Sequence, residues 1–288
     1  MTLTSNKTDV RHVLQYLTSI FLCFMKKLVT FFVLAYTISW VIWMPLWLPA
    51  FGITNLPVIP FNHAIGGFGP MIAAFIVKYA ERKKEGLQSM LKAMFSPKAI
   101  LYVAIALLSP FLILWLAGVA DYLIAGNSFD WSGFTKSREF PDFSFVTFLL
   151  YNLVFFGYGE EVGWRGYALP KLQQRYKSIQ AALILTVFWV IWHWPLFFYR
   201  PGYTEMGIGG IVGWVFSMLT GSVLLSWLFN ASKGSILVVA IFHATIDIAF
   251  TADMANADIV SYAGAIITIW GIAMLLVLRR QRAVTALP

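Results

Sequence analysis

The sequence predicts an all-α protein, a polytopic helical membrane protein with about eight transmembrane helices. Hydrophobic residues make up 59% of the 288 residues and charged residues only 12%, whereas a soluble domain carries about 25% charge. Long apolar stretches alternate with short polar loops, and the basic residues collect in alternate loops. This composition excludes a disordered chain and argues against a soluble enzyme. The single cysteine, Cys23, excludes a disulfide framework and a cysteine-rich metal site.

Eight stretches come close to the roughly 20 apolar residues that a helix needs to cross the hydrocarbon core. In chain order they are Leu28–Ala50, His63–Ala80, Ile100–Ile124, Phe145–Leu169, Ile179–Tyr199, Gly210–Asn230, Ile236–Phe250 and Ile259–Leu278. The seventh is short, so its ends are the least defined. We expect residues 28–278 to form one membrane domain with a motif-bearing core at 145–250, followed by a tail at 279–288.

The distribution of Lys and Arg predicts the orientation of these spans. With the amino terminus in the cytoplasm, only Lys136, Arg138 and Arg200 fall on the outer side. Both termini are therefore expected in the cytoplasm, in a bacterial plasma (inner) membrane. The net charge of +8 follows from this topology, so no nucleic-acid partner is needed to explain it. Membrane lipid is an expected partner, because basic cytoplasmic loops attract anionic headgroups. The oligomeric state stays open.

Residues 1–27 are expected to form a cytoplasmic lead. Within this lead, Val13–Met25 is mostly apolar but too short to span, and no small-residue cleavage site precedes Lys26. The segment that starts at Met25 is typical of the beginning of an inner-membrane protein. Two hypotheses follow: translation starts at Met25 rather than Met1, or the first residues form a loose amphipathic segment.

Ionisable side chains inside membrane spans are costly and indicate function. The ionisable side chains within the predicted spans that we take as candidate catalytic residues are Glu160, Glu161, Arg165, His193, His243 and Asp247. They come from the fourth, fifth and seventh spans. The distances of Glu160, His193 and His243 from the span ends place these three in the middle band of the membrane.

The spacing of these residues predicts which side chains pair. Glu161 and Arg165 are four residues apart on one helix face, and so are His243 and Asp247. Glu160 points about 100° away from Glu161 around the helix. One glutamate can therefore face a reaction centre while its neighbour is held by the arginine.

Two kinds of chemistry fit this set. Glu160, His193 and His243 could hold a zinc ion with one position open for water. Alternatively, a buried glutamate activates water without any metal. Each residue alone is more often a packing or pairing group, but the three patterns on three separate spans together favour a site. Soluble metalloprotease signatures and the serine-hydrolase elbow are absent from the sequence.

The three patterns resemble the CPBP intramembrane proteases, the CAAX-processing and bacteriocin-processing or Abi family, which includes the eukaryotic Ras-converting CAAX endopeptidase. The family pattern is Glu-Glu-x-x-x-Arg, then Phe-x-x-x-His, then His-x-x-x-Asn or Asp. This chain has Glu160-Glu161 followed by Arg165, then Trp189 in the Phe position before His193, then the His243 and Asp247 pair.

The resemblance implies a role for each residue. Glu160 would activate water with help from His193, His243 and Asp247 would stabilise the oxyanion, and Glu161 with Arg165 would support them. An ionised carboxylate cannot donate a hydrogen bond. Asp247 would therefore be protonated, orient His243 or bind metal.

The predicted function is that of an intramembrane endopeptidase, either a metalloprotease or a glutamate-type protease. Its substrate would be a peptide, such as a leader peptide, or a small membrane protein. The alternatives are a non-catalytic bacteriocin self-immunity or peptide-maturation scaffold protein, and a proton-coupled transporter. The sequence leaves open the substrate, the scissile bond, the metal and the route of substrate entry.

Overall fold

The computed structural model describes residues 5–96, 99–128 and 130–287, and the side chains of 5–17, 20, 21 and 23 are not described. Met1 therefore lies outside the described residues. The described residues form helices and contain an isolated β-bridge between Ser137 and Ala252 but no strand. The α-helices are α1 Ser5–Trp47, α2 Asn62–Gly66, α3 Gly69–Met94, α4 Ile100–Ala125, α5 Phe145–Asn152, α6 Gly159–Gly163, α7 Leu169–Gln173, α8 Ser178–Trp192, α9 Ile208–Ala231, α10 Ile236–Thr251 and α11 Ala257–Arg280.

Long apolar helices confirm the all-α, polytopic membrane class. The segments long and apolar enough to cross a membrane are Phe24–Phe51, Ile100–Ala125, Ser178–Phe198, Ile208–Ala231 and Ala257–Arg280. Helix α10 is apolar but shorter, as expected for the seventh predicted span. The total of eight spans stays a prediction.

The structure changes two of the predicted boundaries. The helix expected from Leu28 is continuous back to Ser5, so the described part of the proposed lead is helical. The span expected at His63–Ala80 is divided, because α2 ends at Gly66 and α3 begins at Gly69 and continues to Met94. Pro70 lies in the first turn of α3, where a proline is favoured because that N–H has no helical acceptor.

The fourth predicted span is a helical run with two wider turns. Between α5 and α7 the chain forms π-helical segments at Leu153–Tyr158 and Trp164–Ala168, with α6 between them. Such π-helical turns are rare and occur frequently at functional sites. Glu160 and Glu161 lie on α6, so the two candidate carboxylates are flanked on both sides by irregular helix.

Glycines bring this helical run into direct contact with two neighbouring backbones. A Cβ atom at Gly163 would lie 2.5 Å from Pro70 Cβ and 2.6 Å from its carbonyl oxygen. A Cβ atom at Gly157 would lie 2.5 Å from the carbonyl oxygen of Ala240. Small residues allow such close approach of membrane helices. The two contacts hold α6 between α3 and α10.

One ion cluster joins α1, α3 and α7 at a distance from the candidate site. The Oε1 atom of Glu81 accepts hydrogen bonds from Tyr167 Oη at 3.1 Å and from Lys171 Nζ at 2.9 Å. Lys27 Nζ lies 3.8 Å from the same oxygen. Burial alone would raise the pKa of Glu81, but these hydrogen bonds and positive charges hold that pKa below its usual value.

Replacing Gly163 by Ala should destabilise the fold, and replacing Gly209 by Ala should not. The new methyl group at 163 would overlap the backbone of Pro70, and overpacking of this kind costs about 1–3 kcal/mol. At Gly209 no atom lies within 4 Å of the added Cβ, and alanine favours a helix over glycine by about 1 kcal/mol. Thermal unfolding in detergent measures both. Equal midpoints for the two variants would contradict the close contact between α3 and α6.

Candidate active site

A buried ion network lies at the centre of the site. Glu161 and Arg165 both have 0% exposure, and Arg165 Nη1 donates to Glu161 Oε1 at 2.8 Å. His243 Nδ1 lies 2.7 Å from the same carboxylate oxygen. The network thus contains the expected i, i+4 pair and adds a bond from α10 that the helical spacing alone does not predict.

Glu160 is held separately from its neighbour. Its Oε2 atom accepts hydrogen bonds from the indole N–H of Trp189 at 2.7 Å and from that of Trp164 at 3.3 Å. No described residue donates to its other oxygen, Oε1. The carboxylate is therefore fixed through one oxygen and keeps the other for a ligand or a water molecule.

His193 lies at the carboxyl end of α8 rather than in mid-helix. The helix ends at Trp192, and a 3₁₀-helix follows at Trp194–Phe198. Pro195 accounts for this boundary, because a proline has no N–H to continue the hydrogen bonds of the α-helix. The ring nitrogen Nδ1 of His193 lies 2.7 Å from the carbonyl oxygen of Trp189. A carbonyl can only accept, so Nδ1 carries the proton and Nε2 of the neutral ring has a free lone pair.

Trp189 contacts most of the candidate residues. Besides its bonds to Glu160 and His193, its ring lies 5.7 Å from the His243 ring and 4.6 Å from the Arg165 guanidinium. The family pattern that the sequence resembles has Phe at this position. A phenylalanine has no N–H, so the short hydrogen bond to Glu160 depends on the tryptophan.

His243 and Asp247 are close but are not hydrogen-bonded. The His243 Nε2 and Asp247 Oδ2 atoms are 3.7 Å apart, and the Asp247 side chain is 32% exposed. The pair is therefore an ion pair if the ring is protonated. Asp247 is the most accessible of the candidate carboxylates, so the site opens on its side.

The proposed zinc ligands do not form a metal-binding group in this arrangement. Among the described residues, no three His, Cys, Asp or Glu side chains are placed to hold a metal ion. His243 directs Nδ1 at Glu161, and Glu160 Oε2 receives two indole N–H groups. The described residues therefore do not identify a zinc site at Glu160, His193 and His243, and zinc stays a prediction from the sequence.

The structure adds two residues that sequence reasoning missed. Ser222 on α9 is fully buried, and its hydroxyl lies 3.3 Å from Arg165 Nη2. The Trp214 ring, also on α9, lies 5.8 Å from the His193 ring. Nothing in the sequence separates this serine or this tryptophan from the others in apolar spans. Only the packing of α9 on α8 brings them to the site.

Replacing Arg165 by Met should strongly destabilise the protein. Glu161 would then lose its buried guanidinium partner, and breaking a buried pair in this way costs about 3–5 kcal/mol. The double variant Glu161→Gln with Arg165→Met removes both charges and should recover much of that loss. Thermal unfolding in detergent measures both variants. A double variant no more stable than the single one would contradict the account of a paired buried charge.

The segment that contains these residues is similar to known proteins. Residues 142–249 match a sequence model described as type II CAAX prenyl endopeptidase Rce1-like. CAAX prenyl protease 2 of Methanococcus maripaludis is 27% identical over 184 residues, which is 60% of this chain and 64% of that protein. The match thus spans less than two thirds of the relative. All the candidate residues, from Glu160 to Asp247, lie within the matched segment. Through this segment, the chain is similar to the CAAX proteases.

Proposed function

We propose that the protein is an intramembrane endopeptidase that hydrolyses a peptide bond with water activated by Glu160 and His193. The arrangement of Glu160 carries this proposal. Its carboxylate is buried among tryptophans, one oxygen is fixed by two indole N–H groups, and the other oxygen is free among the described residues. A positioned carboxylate of this kind is suited to act as a general base.

The reaction follows ordinary acid–base chemistry. Glu160 Oε1 accepts a proton from water while the water oxygen attacks the scissile carbonyl carbon. His193 Nε2 accepts a hydrogen bond from the same water and orients it. The proton held by Glu160 then passes to the leaving nitrogen as the carbon–nitrogen bond breaks. The products are a carboxylic acid and an amine, so the only co-reactant is water.

His243 supplies the group that stabilises the developing oxyanion. Its Nδ1 atom is directed at Glu161, and its Nε2 atom faces Asp247 at 3.7 Å. Two neighbouring carboxylates favour the doubly protonated ring, in which Nε2–H can donate to a negative oxygen. Of the three roles left open for Asp247, orientation of His243 fits this geometry best, because the ionised carboxylate needs only to accept.

The substrate class follows from the position of the site. Glu160, His193 and His243 lie on helices of a multi-pass membrane protein, so the scissile bond must belong to a membrane protein or a membrane-associated peptide. The name of the methanococcal relative refers to prenylated CAAX substrates. We propose that this chain acts on a leader peptide or small membrane protein in a bacterial plasma membrane, with both termini in the cytoplasm. Prenylated CAAX peptides are the second substrate class, against which a leader-type peptide is compared in the cleavage assay below.

Replacing Glu160 by Gln should abolish cleavage without unfolding the protein. An amide of the same shape cannot accept the proton from water, and loss of a general base reduces turnover by roughly 10²–10⁴-fold. The assay uses the purified chain with two quenched fluorescent peptides, an apolar leader-type peptide and a prenylated CAAX peptide. Glu205→Gln, a change in an exposed loop, is the matched control and should cleave like the wild type.

Two outcomes would contradict the proposal. Cleavage that continues at the wild-type rate in Glu160→Gln would show that this carboxylate is not the base. A wild-type protein that binds the peptides but leaves both intact would favour the non-catalytic immunity or scaffold role. Thermal unfolding of each variant separates loss of activity from loss of fold.

A further inference from the structure

Helix α3 contains a sharp break at Lys83. This residue has φ 49° and ψ −138°, far from helical values, inside an element that otherwise runs from Gly69 to Met94. A side chain other than glycine rarely adopts such a conformation, and strain of this kind clusters at ligand sites and switch regions. The break therefore calls for a reason beyond local sequence preference.

The break changes the directions of three consecutive basic side chains. In a regular helix, neighbouring side chains point about 100° apart. Here Arg82, Lys83 and Lys84 all line one shallow cavity that is wide open to the surface, together with Tyr79 and Glu85. The Lys83 ammonium lies over the Tyr79 ring at 5.2 Å. The kink thus gathers charges that a straight helix would spread around its axis.

These three cations lack carboxylate partners in the part of the chain that the structure describes. No ion pair within 4.0 Å involves Arg82, Lys83 or Lys84. The nearby carboxylate of Glu81 is already engaged by Lys171 and Lys27. Glu85 offsets one charge of the cavity, which leaves two positive charges in excess.

We propose that this cavity binds the phosphate group of an anionic phospholipid from the surrounding membrane. The first half of α3 packs in the apolar bundle, and after the kink the large apolar side chains of Leu91 and Phe95 are exposed, as are the polar side chains of Gln88 and Lys92. An aromatic ring beside cations at the edge of an apolar bundle is typical of the membrane–water interface. The lipid headgroup would lie in the cavity, and the acyl chains would lie against the exposed side chains of Leu91 and Phe95. The inference does not depend on whether the protein is a protease.

Native mass spectrometry of the full chain in detergent tests the proposal. The probes are phosphatidylglycerol, phosphatidylcholine and inorganic phosphate, each titrated separately. Phosphatidylglycerol should be retained at a defined stoichiometry and the other two should not. The triple variant Arg82→Gln, Lys83→Gln, Lys84→Gln should weaken retention by about fivefold for each charge removed, because each basic group near an anionic surface contributes on the order of 1 kcal/mol.

The matched control removes three exposed cations from another helix end: Arg279→Gln, Arg280→Gln and Arg282→Gln. These residues line no part of the cavity, so phosphatidylglycerol retention should change by less than about twofold, well below one fivefold step. Equal weakening in the two triple variants would overturn the proposal in favour of diffuse electrostatic attraction. If inorganic phosphate binds as strongly as phosphatidylglycerol, the proposal that the bound phosphate group belongs to a lipid is overturned.

The single variant Lys83→Gly separates binding from folding. Glycine adopts positive φ angles readily, so the thermal midpoint should stay the same or rise. Removal of the central cation should still weaken phosphatidylglycerol retention by about fivefold. Unchanged retention in this variant would contradict a role for the strained lysine.

Discussion

The rest of the site depends on one constraint: a guanidinium with no exposure to solvent must be paired. Arg165 satisfies it through Glu161, with Ser222 as an additional contact. Glu161 binds this charge and His243 through Oε1, and its Oε2 atom is buried without a partner among the described residues. Because Glu161 has no exposed surface, we infer that it is not the group that meets a substrate. The adjacent Glu160 is left in a separate environment. The two glutamates are adjacent in sequence but have different hydrogen-bond partners, since Glu161 contacts Arg165 and His243 and Glu160 contacts two tryptophans.

Trp189 links Glu160, the proposed base, to His193. Its indole N–H fixes Glu160, and its backbone carbonyl fixes the tautomer of His193. The resembled family pattern has Phe at position 189. The tryptophan found here therefore has a chemical consequence, because its indole N–H donates a hydrogen bond to a buried carboxylate. A hydrogen bond to a charged group contributes about 1.5–3 kcal/mol, enough to select one orientation of the carboxylate. We infer that this chain positions Glu160 through position 189.

Much of this arrangement could be predicted from the sequence, because helical spacing determines which side chains share a face. The Glu161–Arg165 pair follows from that rule, and apolar length identified the long helices. The same rule suggested that His243 would pair with Asp247. The structure keeps these two side chains 3.7 Å apart and also directs Nδ1 of His243 at Glu161 on another helix. The closer contact is with the carboxylate that is fully buried.

The remaining features depend on packing between distant segments. The π-helical turns around α6, the break between α2 and α3 and the kink at Lys83 have no signal in hydropathy. Close contact of Gly157 and Gly163 with neighbouring backbones accompanies the irregular helix. Ser222 reaches Arg165 only because α9 packs beside α8. Sequence periodicity describes one helix at a time, so it could not supply these relations.

The central claim is that Trp189 orients both Glu160 and His193. Nitrogen-15 NMR of the histidine ring nitrogens tests it without a substrate, with His193→Ala used to assign the signal. The account predicts that neutral His193 carries its proton on Nδ1, which donates to the Trp189 carbonyl, and has an unprotonated Nε2. A proton on Nε2 with Nδ1 unprotonated would contradict it, because Nδ1 could then make no hydrogen bond to that carbonyl.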